Sequence, residues 1–229
     1  MRRSALAGNL LALGLLLAAV AVAFLFGRFP VSLADVARVL WAQLGGAPSG
    51  LPPAVETVVW QVRAPRVVAA VGVGAALSVA GAAFQGLFRN PLVSPDILGA
   101  SGGAALGAVL GIYFSFGIFG IQAAAFAGGL LAVAMVYSLG SLARGGDAVL
   151  TLLLTGIVIG ALLGAGIGLM KYLADPYDQL PAMTFWLLGS LSRTSAADLG
   201  PLLGPVLLGT AVLLALFVGL VELALGATV

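Results

Sequence analysis

Two residue types are missing from the 229 residues: there is no cysteine and no histidine. Without cysteine there can be no disulfide and no thiol nucleophile, and without either residue there is no zinc site of the cysteine or histidine kind. Histidine-based acid–base chemistry is excluded as well. Charge is nearly as scarce, at 8% of residues against about 25% in a soluble domain. The ten basic and eight acidic side chains leave a net charge of +2 and sit scattered at the ends of apolar runs, which is no footprint for a nucleic acid. The phosphate-cradling pattern G-x-x-x-x-G-K-[ST] occurs nowhere, so the chain is not expected to bind or hydrolyse ATP itself. No catalytic set, no metal site and no cofactor is expected.

What fills the chain instead is apolar. Hydrophobic residues make up 62%, too much to be covered by so little polar surface in water, and the fold class expected is therefore all-α: a polytopic transmembrane helical bundle. The length allows about six spans with short connections and leaves no room for a separate soluble domain, so residues 1–229 are read as a single transmembrane domain. The spans fall at about 6–27, 67–88, 95–114, 116–142, 149–171 and 199–225. Met1-Arg2-Arg3 before the apolar run Leu10 to Phe26 also suits a signal peptide, with Ala21-Val22-Ala23 as its cleavage site. The run exceeds the roughly 7 to 15 residues usual there, and a retained first span is expected.

The connections carry their own signals. Ser32 and Asp35 form the pattern of a capping box, and Leu33, Val36, Val39, Leu40 and Leu44 recur at helical spacing, which predicts a helix too short to span and lying at the membrane surface. Gly45 to Pro53 breaks it, and Trp60 suits an interfacial anchor. Arg89-Asn90-Pro91 ends the second span, and Ser94, Pro95 and Asp96 restart a helix as N-cap, first helical residue and dipole partner. A very short turn is predicted near Ser115-Phe116-Gly117, and a polar turn at Arg144 to Asp147. In the long connection Ala174 to Leu199, MTFWLLGSL predicts a re-entrant or surface helix, and Ser195 with Asp198 repeats the cap spacing. Glycines at steps of four form grooves along the helices: Gly99, Gly103, Gly107 and Gly111 in the third span, and Gly156, Gly160, Gly164 and Gly168 in the fifth. Gly74, Ser78, Ala82 and Gly86 make a similar row in the second. On residue chemistry alone such rows mean close helix packing in lipid, and Arg63 and Arg66 mean interfacial cations with snorkelling stems. Gln85 and Glu222 are single polar groups near span ends, where bonding between helices is the plainer role.

The run from Val59 to Gly111 carries WQVRAPR, then GAAL, AG, Q, RNPL, SPDILG and GGAALG. At these spacings it resembles the permease family of bacterial ABC importers for iron-siderophores, haem and vitamin B12, with a type II importer fold. LLLTGIVIG, FWLLGSL and LALG sit where that family has similar segments. The resemblance implies a permease subunit with a cytoplasmic N-terminus in the bacterial inner (plasma) membrane. Its implied partners are a second permease copy, identical or paralogous, cytoplasmic ATPase subunits, a periplasmic or lipid-anchored substrate-binding protein, and membrane lipid, with no nucleic acid. It implies that Arg63 and Arg66 receive glutamates of the substrate-binding protein, that Gly156, Gly160, Gly164 and Gly168 line the translocation pathway, and that Val149, Leu150 and Thr151 form the inner gate. Charge does not set the orientation: four basic residues would be inside (Arg2, Arg3, Arg89, Arg144) and six outside (Arg28, Arg38, Arg63, Arg66, Lys171, Arg193), against the usual bias.

The family has about ten spans and an ATPase-coupling helix just past the segment matching LALG. The chain as given is therefore expected not to transport by itself, and a non-transporting remnant is the alternative reading. A secondary transporter or channel is a further one, disfavoured by the dearth of mid-span acids and bases.

Overall fold

Residues 2–91, 93–142 and 148–226 are described in the computed structural model, and every regular element among them is helical. Apolar segments of this length leave no other choice in hydrocarbon, because a helix satisfies its N–H and C=O groups internally. The order is α1 (Arg2–Leu25), α2 (Leu33–Gln43), α3 (Pro53–Glu56), a π-helical segment (Thr57–Arg63), α4 (Ala64–Phe88), a 3-10 turn (Pro95–Leu98), α5 (Ala100–Tyr113), α6 (Ile118–Leu142), α7 (Ala148–Leu173), α8 (Gln179–Leu188) and α9 (Ala196–Gly226). Among the described residues, five stretches are long and apolar enough to cross a membrane: Leu6–Leu25, Pro53–Phe88, Ile118–Leu142, Val149–Leu173 and Ala196–Leu216. The fold is all-α and polytopic, as the composition predicts.

The structure corrects two of the expected spans. The third does not run unbroken from residue 95: Gly99 adopts φ 72°, closing the 3-10 turn and starting α5 anew. That leaves 14 helical residues, about 21 Å of rise, against a hydrocarbon core of roughly 30 Å. The second begins not at residue 67 but at Pro53, in one continuous helix of 36 residues. Near its start lies the π segment, where the Ala64 N–H reaches back five residues to the Val59 carbonyl. The wider turn lies directly before Pro65, whose ring would crowd a regular helical ladder. The sequence alone shows a proline there and no reason to expect helix through it.

Other expectations hold. Ser32 Oγ accepts from the Asp35 N–H at 3.2 Å and donates to the Asp35 carboxylate at 2.6 Å, while the Ser32 N–H reaches the same carboxylate at 3.3 Å. This is the full capping box of α2. Ser195 repeats half of it, its N–H and hydroxyl both donating to Asp198 at 2.8 and 2.7 Å. The 114–117 turn is as short as predicted and carries Ser115 at φ 56°. The Arg144 to Asp147 turn lies outside the described residues.

Packing groups the elements into two units that divide α4 after Ala76. In the unit holding α1, α2 and the π segment, Phe24, Val36, Val39, Val59 and Ala64 form the core, so α2 turns its Val36–Val39 face onto the end of α1. In the unit holding α5 to α8, one cluster is Leu98, Val136 and Ile159, and another is Val109, Ala174 and Met183. The second of these seats α8 on α5, and the Gln179 side-chain amide donates to the Tyr113 carbonyl at 2.9 Å.

Candidate functional site

A helix leaves its last carbonyls without partners. At the end of α1 those of Phe24 and Leu25 are taken by the Arg63 guanidinium: Nη1 donates to the Phe24 carbonyl and, at 3.3 Å, to that of Leu25, while Nη2 donates to the Phe29 carbonyl beyond the helix. A cation at this end also meets the negative pole of the helix dipole, a contribution of up to about 2 kcal/mol in partly buried geometry. Arg63 is only 7% exposed, the one charged side chain buried among the described residues. Gly27 makes the space: a Cβ there would stand 2.7 Å from Arg63 Nη2 and 3.2 Å from Cζ. Sequence reasoning singled out Arg63 but missed Gly27, whose signal was its position just past the end of an apolar run.

Arg66, one turn further on, is half-buried. Its Nε is enclosed without a hydrogen-bond partner. The two arginines of WQVRAPR thus have different surroundings, one tied to three carbonyls and the other carrying an enclosed donor.

The glycine rows also separate on what a Cβ would meet. In α5, a Cβ at Gly103 would collide with the Gly128 carbonyl and the Ala132 methyl, one at Gly107 with the Ala124 carbonyl, and one at Gly111 would stand 3.1 Å from the Ile121 Cα. Gly128 meets the Gly103 carbonyl in return. The row is the seam between α5 and α6, as close packing of small residues predicts; its partners on α6, Ala124, Gly128 and Ala132, show in the sequence as small residues spaced by four. In α7, Gly156 is buried against the Ile97 carbonyl of the 3-10 turn, whereas Gly160, Gly164 and Gly168 have nothing within 4 Å of a Cβ. Gly166 differs again, facing Leu106 at 3.4 Å. In the row of the second span, Gly74 and Gly86 likewise have open space.

Val149, Leu150 and Thr151 occupy the first turn of α7, with Leu150 exposed and the Thr155 hydroxyl donating to the Thr151 carbonyl at 2.8 Å. They lie some 20 Å along the helix axis from Gly164, so these three residues and the open glycine face are separate places on one element. Gln85 is exposed near the end of α4, and the Glu222 side chain lies outside the described ones. No group of three or more acidic, cysteine or histidine side chains able to hold a metal occurs among the described residues.

The profile of the FecCD transport family matches residues 15–229. The chain belongs to that family. Among its relatives is the molybdate import permease MolB of Haemophilus influenzae, 36% identical over 208 residues covering 90% of this chain and 61% of that protein. The cobalamin import permease BtuC of Halobacterium salinarum is 41% identical over 167 residues, 72% of this chain and 44% of that protein. A solved structure assigned to the metal-chelate type of ABC transporter, in an inward-facing conformation, superposes with a TM-score of 0.72 at 32% identity, covering 91% of this chain and 62% of the other. This FecCD chain therefore spans less than two thirds of the length of these relatives. Its apolar helices and its family make it a multi-pass membrane protein.

Proposed function

We propose that this chain builds the transmembrane permease subunit of an ABC importer, its two packing units working as parts of one permease domain. The observation that carries the reading is the agreement in sequence and fold with a metal-chelate type transporter along nearly the whole chain. In this reading the chain lies in the bacterial inner (plasma) membrane with its N-terminus in the cytoplasm. It pairs with a second permease copy, identical or paralogous, is driven by cytoplasmic ATPase subunits that perform the hydrolysis, and receives its load from a periplasmic or lipid-anchored substrate-binding protein. The load is a metal chelate such as an iron-siderophore, haem or a cobalamin. The MolB relationship extends the class to be tested to an oxyanion.

Within that reading the WQVRAPR segment is the docking region, where cations suit a transient acidic partner. Gly160, Gly164 and Gly168 present the open face of α7 to the pathway, and Val149, Leu150 and Thr151 stand at the inner gate. The test is uptake into vesicles by the transporter built on this chain, assembled with its ATPase and binding protein and offered a ferric siderophore, haem, cobalamin or molybdate in turn. ATP-dependent accumulation of one of the first three that requires the binding protein is the expected result. Molybdate uptake would replace the chelate reading, and uptake driven by an ion gradient without ATP would overturn the importer reading altogether.

A further inference from the structure

Helix α2 is apolar on two sides, and the core uses only one of them. Val36 and Val39 are buried against Phe24 at the end of α1 and against Val59 of the π segment, with Leu40 packed beside them. At about 100° per residue these three share one arc of the helix. Leu33, Ala37, Trp41 and, at the C-cap, Leu44 fall in a second arc of about 80°, turned roughly 110° away from the first. All four are exposed, Leu33 at 57%, Trp41 at 65% and Leu44 at 81%.

Depth and charge decide what meets this second face. Phe24, on which α2 packs, is one residue from the end of the apolar span Leu6–Leu25, so α2 lies where a membrane span stops, at the edge of the hydrocarbon. Phe26, just beyond that span, is 77% exposed, and uncovered apolar surface therefore continues from α1 to the level of α2. The helix carries two charges. Asp35 lies about 160° from the middle of the stripe, and its carboxylate is held by Ser32. Arg38 is exposed and borders the stripe beside Trp41. A cation on a long apolar stem and an indole at the rim of an apolar face suit the phosphate level of a bilayer. The indole is also braced, because the place of a Cβ at Gly46 falls on its ring.

We propose that α2 is a lipid-binding helix: Leu33, Ala37, Trp41 and Leu44 enter the acyl boundary of the leaflet in which α1 ends, and Arg38 meets a phospholipid phosphate. Its other face then ties that leaflet to the end of α1 and to the π segment. This rests on the membrane character of the chain and not on the importer reading.

The test uses the absence of native cysteine. A spin label is attached to Ala37→Cys or Leu44→Cys on the stripe, or to Gln43→Cys, which is exposed but off it, and each labelled chain is reconstituted in phospholipid vesicles. Collisions with oxygen, which concentrates in hydrocarbon, are compared with collisions with a nickel chelate confined to water. The oxygen-to-nickel ratio at positions 37 and 44 is expected to be about fivefold or more above that at 43. Equal ratios at the three positions, or nickel collisions dominating at 37 and 44, would place the stripe in water and overturn the proposal. Protection of 37 and 44 from both reagents would mean that protein covers the stripe and would overturn it too. For the phosphate contact, Arg38→Glu is expected to lower the ratio at position 37 about threefold, and further in vesicles containing phosphatidylglycerol than in pure phosphatidylcholine, while Arg38→Lys retains it. A ratio unmoved by Arg38→Glu in both lipids would overturn the phosphate contact.

Discussion

Glycine does two different jobs along this chain, set by what stands where its missing Cβ would be. At Gly103 and Gly107 that place is already occupied by carbonyls of α6, so a side chain must push two backbones apart. Gly107→Leu is expected to destabilise the α5–α6 pair by about 1–3 kcal/mol or more, seen as a lower unfolding midpoint and poorer accumulation in membranes. Gly164 has open space, so Gly164→Leu is expected to fold and accumulate normally and to fail in uptake. Normal uptake by Gly164→Leu would remove that face from the pathway, and parental stability of Gly107→Leu would contradict the seam. The row at 99–111 could be read from the sequence because period four on one helix is a local pattern. That Gly156 belongs to a contact and Gly164 does not could not be read, since both sit in the same local pattern and only the carbonyl of Ile97 separates them. Arg63 poses the same difficulty: its partners lie 34 to 39 residues away, and no spacing rule joins an arginine to the far end of another helix.

Among the elements, α2 is held by electrostatics as well as by packing. The Ser32 hydroxyl, with the Ser32 N–H behind it, holds the Asp35 carboxyl below the usual carboxylate range. A lowered folded-state value means that the bond stabilises α2 at pH above the unfolded value of about 3.9 and is lost as pH falls through the folded one. Trp41 reports on this, because its indole folds back over Gly46, where a Cβ would collide with the ring. With Trp60 and Trp186 replaced by phenylalanine, Trp41 emission is expected to hold steady from about pH 8 to pH 5 and to shift below about pH 4, and Asp35→Ala is expected to remove that step. A step that persists in Asp35→Ala, or its absence in the parent down to about pH 2, would contradict the assignment. This element was legible at the level of single residues, since a capping box and a helical stripe are both written within 13 residues, Ser32 to Leu44. The π segment was not: its cause is a proline whose effect depends on how a helix four residues upstream can widen.

For the whole molecule the decisive property is apolar surface left uncovered. Leu10, Leu11, Phe126, Leu162, Leu207 and Leu208 are each more than 60% exposed, and a chain with such faces belongs in lipid or against further protein. Because the sequence holds no cysteine, any introduced thiol is unique, and the open face of α7 can be tested directly. On the reading in which an identical copy pairs across that face, Gly164→Cys or Gly168→Cys is expected, under mild oxidation in native membranes, to yield a disulfide-linked pair of chains, whereas Gly166→Cys, which faces Leu106, is not. Linkage through Gly166→Cys alone would place the second copy elsewhere. Fold class and membrane character followed from composition, but which faces are covered within one chain did not, because apolar residues in lipid look alike whether they meet a helix or an acyl chain.

The π segment bears on how this protein can be recombined with its relatives. A turn that closes over five residues rather than four absorbs one extra position without breaking the rod, so residues on either side of Thr57–Arg63 are out of step by about 100° with what a regular helix would give. A crossover made inside those seven residues with a sequence lacking the wide turn would swing the arginine pair around the helix axis and aim both side chains at new neighbours, although every apolar position still looked acceptable. Crossovers placed in the loop before Pro53, or after Ala69, keep the turn and its cations together and are the ones expected to give hybrid chains that fold.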